Sequence, residues 1–330
     1  MIVPPKLFFQ LLANRKFAPA ALALQVSTGD QNALLPLIGD EQFANLARAI
    51  PCLIETSHAQ TLPTEVLTAF QVAGCRTVAH ECFHHSDEQT RPVLPAHSEW
   101  LTGAWYLAPP LKLLAHQAAS RTLSLKLLQL VAADADTCEI EAVFRQDPVL
   151  AYHLLRLVNS LCVGVGKHIS SFSQAILILG RHQLKRWLNL MLFAANRDDY
   201  RASMLMAKVA VRARSMELLA KAGGFERSEQ DQAFMVGMFS LLGVLFGMPL
   251  TDVLTPLKLD LSLNNAVLSR TGKMGRLLFA LEKIERADET GLAELFEDFQ
   301  LPPMDFNRLA LEAHQWMLNA IHDQPDTSDD

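Results

Sequence analysis

The chain has 330 residues, half of them hydrophobic and 19% charged, the composition of a folded protein long enough to bury a real core. Its formal charge of -6 and pI near 6.0 give no basic footprint for nucleic acid and no polybasic membrane anchor. The five cysteines, Cys52, Cys75, Cys82, Cys138 and Cys162, include no Cys-x-x-Cys pair, so neither a disulfide framework nor a zinc ribbon is expected, and reduced thiols in the cytoplasm are.

The N-terminus, MIVPPKLFF, has prolines where a signal peptide would have a basic start and a long apolar core, so secretion is not expected. Over the first 120 residues short apolar runs alternate with helical spacing. Residues 21–26, 51–55, 76–79 and 104–108 read as strands, and 41–49 and 63–73 as helices, which predicts a small α/β unit. Strand signals stop near 111–122, where a domain boundary is expected.

From there helical periodicity repeats. Asp147-Pro148 puts an N-capping carboxylate before a proline at the first helical position, whose missing N–H costs nothing there. Leu150, Leu154, Leu157 and Val158 then share one face. Ser171-Phe172-Ser173-Gln174 has capping-box spacing, and Gly180 can close that helix. Further helices are expected over 182–195, 202–221, 232–247, 263–268, 274–286 and 304–321, followed by a frayed acidic tail over 323–330. Residues 233–250 are uncharged and contain Gly243-x-x-x-Gly247, a small-residue spacing used between membrane helices. Asp231 and Asp252 flank them and Pro249 cuts their end, so a buried core helix is predicted rather than a membrane span.

The segments FRQDPVLAYHLLRLVNS, HISSFSQAILILG and RHQLKRWLNLMLF together resemble the HDOD family of bacterial signalling domains. The resemblance implies an all-helical domain over 116–322, related to HD-type metal phosphohydrolases but without their catalytic motif. The relatives' Gly-Leu-Leu-His-Asp-x-Gly run corresponds to Gly237–Gly243 here, with Ser240 and Leu241 at the metal-ligand positions, and neither side chain is a serviceable ligand. Residues 1–115 resemble eroded pieces of an EAL domain, the cyclic-di-GMP phosphodiesterase barrel. Leu53-Ile54-Glu55-Thr56 and Ala79-His80-Glu81-Cys82-Phe83 carry that likeness, with Glu55 at the family's strand-borne glutamate and Gln25 at its asparagine. About 110 residues fall short of the roughly 250 of a full α/β barrel, so diesterase activity is not expected.

His80-Glu81-Cys82-Phe83-His84 also fits the H-E-x-x-H zinc pattern, which needs a helix to bring both imidazoles to one face. A strand before it and a turn after it leave little room for that helix, so a histidine-rich loop is the expectation and no metal or other cofactor is assigned. The basic residues Arg181, Lys185, Arg186, Lys208, Arg212 and Arg214 suggest an acidic-partner or anion patch, with Arg181, Lys185 and Arg186 on one helix flank.

The sequence thus predicts a mainly α protein with a smaller α/β remnant: a non-enzymatic signalling protein acting through contact with another signalling protein. Asn159, Ser171, Arg181, Lys185 and Arg186 are the candidate contact residues, and cyclic-di-GMP binding is not expected. The alternative is a metal-dependent hydrolase using His80, Glu81 and His84, or a residual diesterase using Glu55 and Glu81.

Overall fold

A computed structural model describes residues 5–87, 90–109, 126–130, 133, 135–144, 186, 199–257, 259–301 and 303–321. The segment 147–180, with Asn159, Ser171 and the capping signals, lies outside the described residues, as do Arg181 and Lys185 and most of the helix expected over 182–195.

The N-terminal region is a six-stranded mixed sheet, ordered β4-β3-β2-β1-β6-β5. Its strands are β1 (Leu7–Ala13), β2 (Pro19–Val26), β3 (Cys52–Glu55), β4 (Arg76–Val78), β5 (Phe83–His85) and β6 (Trp100–Thr102). β1 runs antiparallel to both its neighbours, and the other five strands share one direction. Four helices accompany the sheet: α1 (Leu35–Ile38), α2 (Glu41–Ala49), α3 (Thr56–Ala59) and α4 (Thr64–Val72). The side chain of Asp40 caps α2 by accepting from Gln42 N–H.

This corrects the expectation of a mainly α protein, because the sheet is a principal layer of the fold. The strands expected at 21–26, 51–55 and 76–79 are present. Residues 104–108 form no strand: Trp105–Leu107 is a 3-10 turn, and the strand lies just before it at β6. β1 and β5 were not anticipated, since LFFQLLA has no clean alternation and Phe-His-His is too short to show one.

The sheet has to curl. Its two edge strands, β4 and β5, are joined by only residues 79–82. Five trans-peptide steps reach about 19 Å at most, whereas the edges of a flat six-stranded sheet would stand about 24 Å apart. The 3-10 turn His80–Cys82 shortens the bridge further. The bridge therefore draws the edges toward each other and gives the sheet a concave face.

That face is closed at its base by a small apolar plug of Leu12, Ala21 and Leu53, with Val78, Phe83 and Trp100 against it. The convex face, with Leu7, Leu11, Leu22, Leu24 and Ile54, joins one large core that also takes in the C-terminal helices. After α5 (Thr137–Phe144) these are α6 (Ala202–Ala222), α7 (Arg227–Phe239), α8 (Leu242–Phe246), α9 (Leu250–Leu254), α10 (Leu261–Ser269), α11 (Gly272–Ile284), α12 (Leu292–Asp298) and α13 (Pro303–Ile321).

The long helix α6 is buried on almost every side and packs against α7 and α13, with α13 also against β1. Gly237 permits the α6–α7 approach, because a Cβ there would stand 2.9 Å from the Ala213 backbone. Asn307 of α13, fully buried, holds the start of β1: its side chain accepts from Leu7 N–H at 2.8 Å and donates to Pro5 O at 2.9 Å. The apolar segment 233–250 is not one helix but breaks at Ser240 and Leu241 between α7 and α8. No single helix among the described residues is long and apolar enough to cross a membrane.

Candidate functional site

The five co-directional strands end alike. Each reaches its carboxyl end with an apolar residue of the plug followed, two positions on, by a polar one: Ala23-x-Gln25, Leu53-x-Glu55, Val78-x-His80, Phe83-x-His85 and Trp100-x-Thr102. Side chains two apart on a strand share a face, so Gln25, Glu55, His85 and Thr102 stand above the plug, and His80, in the 3-10 turn that follows β4, joins them in a ring that lines the same cavity. β1 enters from the opposite direction and adds Gln10 two residues before Leu12; its side-chain amide donates to Thr102 Oγ1 at 2.7 Å. These ring residues border a cavity of about 1160 Å³, which residues of α6, α11 and α13 also line. Open α/β sheets place ligands at the carboxyl ends of their strands.

Two carboxylate–imidazole pairs stand on the ring. Glu55 Oε1 lies 3.1 Å from His80 Nδ1 and accepts from Ser57 Oγ at 2.7 Å. Asp87 Oδ2 lies 2.9 Å from His85 Nε2, while its Oδ1 accepts from Ala104 N–H at 2.6 Å. The Ala104 amide and then His85 hold the Asp87 carboxyl below the ordinary carboxylate range. Gly103, at φ +99°, lets this corner close, since a Cβ there would collide with the Ser86 carbonyl. His58 accepts from Val26 N–H at 2.8 Å through Nε2, and burial lowers its pKa against the opposing pull of Glu55. It ties the end of β2 to α3 as a neutral ring.

The helical wall carries a buried ion network. Arg212 of α6 donates to both oxygens of Glu285, at 2.9 and 2.5 Å, and Lys208 reaches the same carboxylate at 3.1 Å. Burial works to raise the Glu285 carboxyl, but Arg212 and Lys208 prevail and hold it at about 2. Burial pushes Lys208 below the ordinary lysine value, against the pull of Glu285. His314 of α13 donates from Nδ1 to Ala310 O at 2.7 Å, and burial takes it down to about 4.

Ser240 and Leu241, the two positions that the HD resemblance assigns to metal ligands, adjoin this network. Ser240 Oγ accepts from Arg212 Nη1 at 2.9 Å and donates to Gly237 O at 2.6 Å, and Leu241 is in the core. A guanidinium therefore sits against that position.

The other expectations separate. His80 and Glu81 fall in a 3-10 turn and His84 in β5, so no helix gathers His80 and His84. Phe83 and His85 face the cavity, which by alternation turns His84 away from it. No three His, Cys, Asp or Glu side chains among the described residues come together as a metal set. Arg186 is buried rather than on a solvated flank, paired with Glu217 and with its guanidinium 4.0 Å from the centre of the Phe234 ring. Arg214 pairs with Glu217 and Glu312. The expected basic patch is thus, among its described residues, neutralised by internal carboxylates. Gln25 and Glu55, singled out in the sequence, both line the cavity; Gln10, His85, Asp87 and Thr102 were missed.

Known proteins resemble part of the chain. Residues 121–254 match the HDOD domain family. The chain is 30% identical over 183 residues to the cyclic di-GMP phosphodiesterase CdgJ of Vibrio cholerae, covering 56% of this chain and 42% of that protein. It is 27% identical over 178 residues to YuxH of Bacillus subtilis, an uncharacterized protein, covering 53% and 42%. The chain thus aligns with about two fifths of the length of these curated relatives. A solved structure from Shewanella amazonensis, 14% identical and covering 61% of this chain and 93% of that one, has a TM-score of 0.42. The match to a named phosphodiesterase corrects the expectation that the chain is not an enzyme: inert residues at 240 and 241 dispose of one metal site and say nothing of the ring on the sheet. Residues 121–254 are an HDOD domain.

Proposed function

We propose that the protein is a signalling protein that takes a cyclic dinucleotide at the mouth of its curled sheet and passes the event on through contacts of its HDOD domain. One observation carries the reading: the polar ring of Gln10, Gln25, Glu55, His80, His85 and Thr102 borders a cavity of about 1160 Å³ that Arg286 also lines, beside the Lys208–Arg212–Glu285 ion network. Amides and hydroxyls suit base edges and ribose, and cations suit phosphate. The sheet is, on this reading, a contracted EAL-type barrel, with Glu55 and Gln25 in the family's positions. The name of the Vibrio relative supports the ligand class.

EAL enzymes work with bound metal ions. The described residues do not fit one, because the Glu55 carboxylate has an imidazole and a hydroxyl as partners rather than further carboxylates.

Titration calorimetry of the full chain with cyclic di-GMP tests the reading. Saturable heat with a stoichiometry of one ligand or one intercalated pair per chain is expected, weakened by Gln25→Ala or Gln10→Ala. Absence of heat at high protein concentration would end it.

A further inference from the structure

We infer that the ring on the sheet is a metal-independent acid–base site for a ribose phosphodiester, with His80 and His85 as the proton-transfer groups and Glu55 and Asp87 as their positioning carboxylates. This rests on the dinucleotide reading above and adds the chemistry.

The argument starts from how the two rings are held. His80 is fixed through Nδ1 by Glu55, and Glu55 is itself fixed by Ser57. His85 is fixed through Nε2 by Asp87, and Asp87 is locked to the Ala104 amide. In each case a second group orients the carboxylate that orients the imidazole, the arrangement that sets a histidine's tautomer and leaves its other nitrogen for a reacting proton. That nitrogen is Nε2 on His80 and Nδ1 on His85.

Both rings border the same cavity. Their side chains are 79% and 62% exposed, so a ligand can reach them. His80 stands on the bridge 79–82 and His85 at the end of β5, on a stretch of chain whose full reach is about 19 Å. Inward-reaching side chains over that span can flank a single phosphate.

A cyclic diribonucleotide supplies its own nucleophile in the ribose 2′-hydroxyl. One imidazole takes the proton from that hydroxyl, its oxygen forms a bond to the adjacent phosphorus, and the bond from phosphorus to the 5′-oxygen breaks. The other ring, as imidazolium, gives its proton to the departing 5′-oxygen. The product is a linear dinucleotide ending in a 2′,3′-cyclic phosphate, an isomer of the substrate. No water, metal or oxidant is consumed, and the two rings recover their protonation states by exchange with solvent. Acid–base assistance of this kind contributes about 10²–10⁴-fold per group.

The test incubates the full chain with cyclic di-GMP in excess EDTA and separates products by chromatography with mass detection. The expected result is a new species of unchanged mass, formed in EDTA, absent with the 2′-deoxyribose analogue, and slowed about 100-fold or more by His80→Ala or His85→Ala. Glu55→Gln is expected to lower the rate by a larger factor than it weakens dinucleotide binding, and Glu55→Asp to restore part of the rate, a split that a merely structural role would not produce. Binding heat without ring opening in EDTA overturns the acid–base site and leaves the dinucleotide reading standing. Cleavage that needs added metal and yields a 5′-phosphate also overturns it. Failure to bind at all removes the dinucleotide reading, and the inference with it.

Discussion

Acidification should loosen the protein through His314, and the size of the effect follows from its surroundings. The ring lies in the core between α13 and β1, tilted against Phe9 with centroids 4.8 Å apart, and burial lowers its pKa from 6.5 to about 4. Between those two values the unfolded chain carries a proton on this histidine that the folded chain does not. Stability rises with pH wherever the unfolded state binds more protons, so the contribution is fully present above pH 6.5 and is lost as pH falls toward 4. A gap of about 2.5 pH units at 1.36 kcal/mol each is roughly 3 kcal/mol. His314→Phe removes the titrating group and keeps an aromatic ring against Phe9. The Ala310 carbonyl that His314 Nδ1 contacts still has its helical partner, so the replacement leaves no orphaned acceptor. Urea unfolding followed by circular dichroism at pH 7, 6, 5 and 4.5 should show the natural chain losing stability faster than the variant, with the difference growing steadily below pH 6.5. Parallel pH profiles would refute the reasoning. Glu285 adds a second loss at lower pH, beginning below 4.5 as it approaches its value of about 2.

Three further outcomes are expected. Arg212→Met leaves Glu285 with Lys208 alone and takes a donor from Ser240; breaking a buried pair from one side costs about 3–5 kcal/mol, and a loss below about 1 kcal/mol by denaturant unfolding would show the network to be dispensable. Restoring the HD ligands with Ser240→His and Leu241→Asp should give a destabilised protein without stoichiometric zinc by elemental analysis, because the Arg212 guanidinium already stands 2.9 Å from position 240 and repels a dication; one tightly held zinc per chain would contradict this. Gly237→Ala should cost about 1–3 kcal/mol by wedging α6 from α7, measured as a lower unfolding midpoint, and an unchanged midpoint would show that the crossing can give.

The helical half was the more legible part of the sequence. The periodicity of 202–221, 274–286 and 304–321 comes through as α6, α11 and α13 within a residue or two, because each is long enough for its apolar face to repeat. The sheet was legible only where strands were flanked by clear turn signals. β5 and β6 have three residues each, too few for any alternation to be counted. Segment 233–250 looked continuous because every residue in it is apolar or small, and its break at Ser240 and Leu241 leaves no mark in that pattern. The basic residues also misled. Sequence spacing puts charges on one flank of a helix but does not say that Glu217 and Glu285 will meet them inside. The ring of polar residues was present as a repeated apolar-x-polar ending, yet the signal is visible only after the five strands are known to run the same way.

The bridge between β4 and β5 acts as a drawstring. Its length sets the circumference of the mouth, and it carries His80 on the string itself. An added residue or two at 79–82 would slacken the rim and part His80 from His85 while leaving the plug and the convex core untouched. The same gap is the one place in the sheet where additional strand–helix units could be spliced in without breaking an existing strand pair. The seam therefore doubles as the molecule's point of growth, and shortening or lengthening it changes what the mouth can grip before it changes whether the protein folds.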